Sequence, residues 1–205
     1  MNRASRPSTL QMQMGQETIY LLLAVTLFTA IILGGVLIAR QREARPREDP
    51  PIIVLPEAQG FSFAPGSAAL SRDFEARLSR QVIPRVRAIG RAYEAQVIEV
   101  IGHTDEVPRN ADARRLSNLD AVLVPRFLGE ARADPVAADN AGLGMARAVA
   151  VARFMRGAGL DGFTFVPLSA GPFLKPDDSM LTGGEARADP ARRRIEVRLR
   201  RRQPR

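Results

Sequence analysis

The chain has 205 residues, 45% of them hydrophobic and 25% charged, with a formal net charge of +8 and neither cysteine nor tryptophan. That length accommodates one ordinary domain and a short anchor, and the composition excludes global disorder. The lack of cysteine excludes disulfide frameworks, thiolate metal sites, cysteine nucleophiles and the lipid-bearing cysteine of an outer-membrane lipoprotein. The basicity is local: Arg192 to Arg205 holds eight of the 30 basic residues and one of the 22 acidic ones. Since the remainder is close to neutral, no nucleic-acid partner is expected.

Ile19 to Ala39 carries no charged residue, and a helix rising ~1.5 Å per residue over that run crosses a ~30 Å hydrocarbon core. Thr26 and Thr29 can return their hydroxyls to the preceding turn. No A-x-A site follows, so an uncleaved signal anchor is expected rather than a removed leader. Residues 1–18 would form a short cytoplasmic segment, 19–39 the transmembrane helix and 40–51 a charged linker with a reach of ~40 Å. Arg3 and Arg6 precede the run, whereas Arg40, Arg42, Arg45 and Arg47 follow it. Basic residues alone would therefore place the C-terminal side in the cytoplasm.

Ile52 to Leu55 reads as a first strand, followed by a turn around Gly60 and a second at Pro65-Gly66-Ser67. From Ser71 on, Phe74, Leu78, Val82, Val86 and Ile89 recur at helical spacing, with Pro84 expected to kink or divide the helix. Val97 to Ile101 is a β-branched strand ending at Gly102. Ala113 to Val124 reads as helical. A further helix runs from Ala141 and is closed by Gly157 or Gly159. Phe163 to Leu168 and Ile195 to Leu199 supply two more strands. Strands alternating with helices give an α/β sandwich, with helices on one face of a mixed sheet.

Four segments fall at the ends of these elements: Phe63-x-x-Gly66-Ser67-x-x-Leu70, Gly102-His103-Thr104-Asp105, Asn140-x-x-Leu143-x-x-x-Arg147-Ala148-x-x-Val151, and Arg193-Arg194-Ile195-Glu196-Val197. Together and in this order they resemble the OmpA-like peptidoglycan-binding domain of OmpA, Pal and MotB proteins, over about residues 52 to 200. The resemblance implies a small two-layer α/β sandwich, β-α-β-α-β-β, spanning 52–205. It also implies a periplasmic position for that domain and a peptidoglycan partner, with no cofactor, no metal and no catalysis. An inner-membrane, single-pass tether results, with the lipid bilayer, a polytopic membrane protein and a second copy as further partners.

In that family, the aspartate of the GHTD-like loop and the arginine of the RA pair hold the diaminopimelate of the stem peptide, positions filled here by Asp105 and Arg147. The chemistry is sound, because a zwitterionic end needs a carboxylate for its ammonium and a guanidinium fork for its carboxylate. Arg147 would lie within two turns of a helix start, where free N–H groups also favour an anion. The resemblance adds Asn140, Thr104, His103 and Leu143 to the peptidoglycan-binding set, with Asn140 bracing the loop or donating to the ligand and Thr104 shaping the Asp105 turn.

Two features depart from the family. Gly144 stands where a serine is usual, and a glycine replacing a helix cap costs only a few tenths of a kcal/mol. An insertion, about 106–139, separates Asp105 from Asn140 and contains a decoy: Leu116-Ser117-x-x-Asp120-Ala121-x-x-Val124 repeats the pattern with aspartate in place of arginine. A second carboxylate would repel the ligand's own, so Arg147 is preferred.

Rival functions draw less from the residues. His103 has no evident metal co-ligand or nucleophile beside it, and a structural role in the turn suits it. Asp105-Glu106 is adjacent in sequence, not a facing carboxylate pair for hydrolysis. A MotB-like stator subunit would need an acid in the membrane helix; only Glu17, just before the run, offers one if the helix starts earlier. The apolar residues of the insertion, Leu119, Val122, Leu123, Val124, Phe127 and Leu128, could bind another envelope protein or pack on the domain.

Overall fold

A computed structural model describes residues 9–44, 49–108, 116–130, 133–182 and 186–203. Arg3, Arg6, Arg45, Arg47 and the expected helix start at Ala113 lie outside them. The chain divides into two units, Met1–Glu48 and Asp49–Arg205.

The first unit is one helix, α1 (Thr9–Ala44). Its stretch Glu17–Ile38 is long and apolar enough to cross a membrane. Thr26 donates its hydroxyl to Leu22 O at 2.9 Å and Thr29 to Val25 O at 2.8 Å, so neither adds an unpaired polar group. Two boundaries differ from expectation. The helix starts before Glu17, and it continues through Arg40 to Ala44, where an extended linker was expected.

The second unit runs β1 (Ile53–Pro56), α2 (Arg72–Arg77), α3 (Ile83–Tyr93), β2 (Val97–His103), α4 (Leu119–Leu128), α5 (Asn140–Met155), β3 (Thr164–Gly171) and β4 (Arg194–Arg200). The four strands form one mixed sheet in the order β1-β4-β2-β3, with β2 and β3 parallel and β4 antiparallel to both its neighbours. This is the expected two-layer α/β arrangement. Phe74, Leu78, Val82 and Val86 from the first helical stretch, with Val151 and Met155 from α5, pack on Ile53, Leu55, Ile98, Val100, Ile195 and Val197 of the sheet.

Ser71 caps α2 by accepting from Phe74 N at 3.2 Å. Pro84 does not break the helix. A single π turn, Leu78–Val82, precedes it, and Pro84 falls in the first turn of α3, where its missing N–H costs little. After α5, the chain turns at Gly159, whose φ of +86° settles the closing residue in its favour.

The insertion helix α4 begins at Leu119, later than expected, because Leu116 to Asn118 are not helical. Leu119 packs with Leu143 and Ala146 of α5, while Val124 and Leu128 stay exposed. Most of its apolar surface is thus spent on the domain's own helix.

Gly144 is not a cap. Asp139 caps α5, accepting from Gly142 N at 2.7 Å, and Gly144 lies inside the helix against Gly102 of β2. A Cβ at Gly102 would stand 2.0 Å from Gly144 O, and one at Gly144 would stand 2.5 Å from Ser169 Oγ. Both glycines are required by close backbone approach, so the small cost expected of a substituted cap does not apply.

Gly102→Ala should destabilise the unit by ~3 kcal/mol or more, the upper end for forced overpacking, because the clash is with backbone. Gly157→Ala, whose Cβ would meet nothing within 4 Å, should stay within ~1 kcal/mol. Urea denaturation of residues 49–205 reads both.

Candidate functional site

At the end of β2 the pairing with β3 shifts register between Gly102 and His103. This irregularity re-aims the chain, and Thr104 N then bonds Gly171 O at 3.0 Å. Asp105 emerges beside the start of α5. Asn140, the first residue of that helix, donates its amide to Asp105 O at 3.1 Å and Val107 O at 3.0 Å, which braces the loop as expected.

Arg147 reaches the same place from the second turn of α5. The turn Ala64 to Ser67, with Gly66 at φ +68°, is closed by Ser67 N donating to Ala64 O. It presents Ser67 O to Arg147 Nε at 3.0 Å, while Phe63 places its ring 4.8 Å beneath the guanidinium carbon. The Phe63-to-Leu70 motif therefore positions the arginine.

Thr104, Asp105, Asn140, Leu143 and Arg147 line one cleft of about 590 Å³. Asp105 is 8% exposed and Arg147 7%, so both charges are largely withdrawn from water. His103 is placed differently. It is 1% exposed, behind the cleft, with Nε2 3.1 Å from Glu196 Oε1 but out of line for a hydrogen bond. It supports the loop rather than lining the cleft. Asp120 is exposed on α4 and takes no part in the lining.

Two residues at the cleft were not read as site residues. Arg193 donates Nη1 to Asp105 Oδ2 at 2.5 Å and pairs through its other nitrogens with Glu57. The Glu57 hydrogen bonds chiefly, then those of Asp105, hold the Arg193 guanidinium above its ordinary pKa despite burial. Arg193 stands in the last motif and was legible there. Glu57 lies in a one-turn segment, Glu57–Gln59, and carried no signal. The Asp105 carboxylate also accepts from Asp189 N at 3.3 Å, so its orientation is fixed from two sides.

Behind the cleft lies a second charged group. Glu196, 3% exposed, faces Arg194 at 2.8 Å, Arg198 at 2.6 Å and His103. Burial would raise its pKa, but the close approach of the His103 imidazole and the hydrogen bonds from Arg198, with the Arg194 charge, hold it down to about 2.

A carboxylate depressed in the folded state stabilises fully above its unfolded value and loses that contribution as pH falls through the folded value. Stability should therefore drop between about pH 4.5 and 2. Glu196→Gln should lower stability at neutral pH, leaving Arg194 and Arg198 without their counter-charge, and flatten that acid slope. Urea midpoints measured from pH 7 to pH 2 give both effects.

No family model matches the chain, and no curated protein matches it. Among solved structures it is similar to a MotB-like protein from Desulfovibrio vulgaris, at 25% identity and a TM-score of 0.42 over 74% of this chain and 75% of that one. It is also similar to the periplasmic domain of Helicobacter pylori MotB, at 19% identity and a TM-score of 0.44 over 76% of this chain and 82% of that one. A third is the OmpA-like domain of FopA1 from Francisella tularensis, at 18% identity and a TM-score of 0.38 over 74% and 75%. These three solved structures are MotB, MotB-like or OmpA-like domains, the class that the sequence motifs resemble.

Proposed function

We propose that the domain binds peptidoglycan without cleaving it, and that α1 holds it to the inner membrane with the domain in the periplasm. One observation carries this reading. Phe63 and Gly66, Thr104 and Asp105, Asn140, Leu143 and Arg147, and Arg193 come from four separated segments and line a single cleft.

The chemistry of that cleft suits a zwitterionic amino-acid end such as that of diaminopimelate. An incoming ammonium would join Arg193 on the Asp105 carboxylate, which is already oriented. A ligand carboxylate would meet Arg147, whose guanidinium is oriented by Ser67 O at Nε and by the Phe63 ring. Asn140 and Leu143 bound the space between them. Nothing in this arrangement requires a bond to be made or broken, and a binding domain fits it better than a hydrolase.

Asp105→Ala and Arg147→Ala should each weaken binding to purified sacculi by about thirtyfold or more, as expected when one member of a desolvated charge pair is lost. Asp120→Ala should leave it unchanged. A co-sedimentation titration decides, and undiminished affinity in Arg147→Ala would discard the assignment of that arginine.

A second reading, a stator-like subunit that couples ion flow to work, draws on one observation. Because α1 begins at Thr9, Glu17 lies within the helix, at the edge of the apolar stretch. Glu17→Gln should then abolish an ion-driven activity with a polytopic partner copurifying. Sacculus binding and envelope integrity unaffected by that change, with no such partner, favour the passive tether.

A further inference from the structure

The cleft occupies one end of the sheet, where Asp105 follows β2 and Arg193 precedes β4. The opposite end holds the starts of β1, β2 and β3 and the exit of β4. The register fixes this, because Val97 pairs with Thr164 on one side and Arg200 on the other, and Ile53 pairs with Val197. α3 also reaches this end. Its Arg87 donates Nη2 to Ala158 O at 3.0 Å and Gly159 O at 3.2 Å, in the turn that follows α5.

Arginine dominates this second end. Arg91, in the last turn of α3, is exposed and forms no ion pair among the described residues. Arg202 is exposed and meets only neutral partners, donating Nη2 to Thr164 Oγ1 and N to Gln96 Oε1, each at 3.0 Å. Arg200 pairs with Glu99, and Arg201 stands 3.7 Å from Glu94. Arg87, Arg91, Arg200, Arg201 and Arg202 thus outnumber the acids Glu94, Glu99 and Asp161, to which the chain leading into β1 adds Asp49.

The course of the chain indicates the occupant. Residues 45–52 alone join α1 to β1, a stretch that reaches at most ~28 Å when extended. The arginine end is therefore the end joined to the anchor. Ile52, 41% exposed, adds an apolar side chain at the mouth of β1. Basic groups beside apolar surface suit the headgroup layer of an anionic bilayer, where each arginine strengthens attachment about fivefold.

We propose that this end docks on the anionic phospholipid surface of the bilayer that holds α1, through Arg91 and Arg202 foremost. The inference rests on α1 crossing that bilayer and is independent of what the cleft binds. Docking in this way turns the Asp105–Arg147 cleft away from the lipid.

The test uses the full-length chain in nanodiscs, with a fluorescent donor on one introduced cysteine and an acceptor on the lipid. The chain has no cysteine of its own, and Gly162→Cys places the donor at the arginine end, where an added Cβ meets nothing within 4 Å. Energy transfer should be higher in discs with about 30% phosphatidylglycerol than in phosphatidylcholine alone, and about 0.5 M salt should remove the difference. Arg91→Gln with Arg202→Gln should lower the docked-to-undocked ratio about 10-fold or more. Arg72→Gln with Arg187→Gln, an equal loss of charge elsewhere on the unit, should leave it within about twofold. Glu94→Gln with Asp161→Asn should raise it. Equal transfer in both disc types, or equal losses in the two arginine pairs, overturns the docking surface. Transfer between donor- and acceptor-labelled chains instead of lipid assigns this end to a second copy and overturns it as well. Failure of the chain to enter the discs strikes the anchor reading, and the docking surface falls with it.

Discussion

The backbone contact between Gly102 and Gly144 sets the position of everything at the cleft. It brings the first turns of α5 against the end of β2 at a distance no side chain permits, since a Cβ on Gly102 would lie 2.0 Å from Gly144 O. Ser169 Oγ, donating to Ala141 O at 2.6 Å, fixes the same helix to β3. With α5 held there, Asn140 can reach the carbonyls of Asp105 and Val107, and Arg147 can reach Ser67 O. A helix displaced outward by even a methyl group would separate the loop that carries Asp105 from the helix that carries Arg147. Cores resist such displacement because they are close-packed and adjust only partly.

Arginine performs most of the remaining fixation. The concentration of positive charge at the end of the chain invites a reading as a binding surface or as mere codon preference, with Lys175 the single lysine. The contacts give a different account for three consecutive residues. Arg192 joins Glu106 to Pro172 O, Arg193 joins Glu57 to Asp105, and Arg194 joins Glu196 to Lys175 O. Arg192 and Arg193 each span two segments far apart in sequence, and Arg194 ties its own strand to the loop at Lys175. A guanidinium suits this work because its planar fork offers several donors in fixed directions and stays charged when partly buried. A lysine at any of these places would satisfy one partner and leave another unpaired.

The strands, the two main helices and the clustering of Thr104, Asp105, Asn140, Leu143 and Arg147 were legible in the sequence, because each depends on local periodicity or on a motif. What escaped depends on distant contacts. Gly144 reads as a replaced cap until Gly102 is seen against it. Glu57 has no local pattern, and its partner Arg193 lies on the far side of the chain. Pro84 signals a break from its own chemistry, but a π turn upstream places it where a proline is tolerated. His103 shares its motif with Asp105, yet successive residues beyond a strand end can point to different sides, and it turns inward to Glu196.

Packing separates Arg147 from the decoy at Asp120. Both windows carry the same apolar spacing, and either could start a helix. In the decoy, Leu119 and Val122 are buried and Asp120 is turned outward. Leu119 packs on Leu143 and Ala146, residues of the other window, and Gly142 is the position where an added Cβ would meet Leu119 at 2.8 Å. The insertion helix therefore backs α5 instead of competing with it. Lengthening a surface connection costs little, about 0.6 kcal/mol for each doubling, and burial of a leucine and a valine offsets ~3 kcal/mol or more. An insertion that packs on the site-bearing helix can thus persist without disturbing the site, provided its apolar face stays complementary to Leu143 and Ala146.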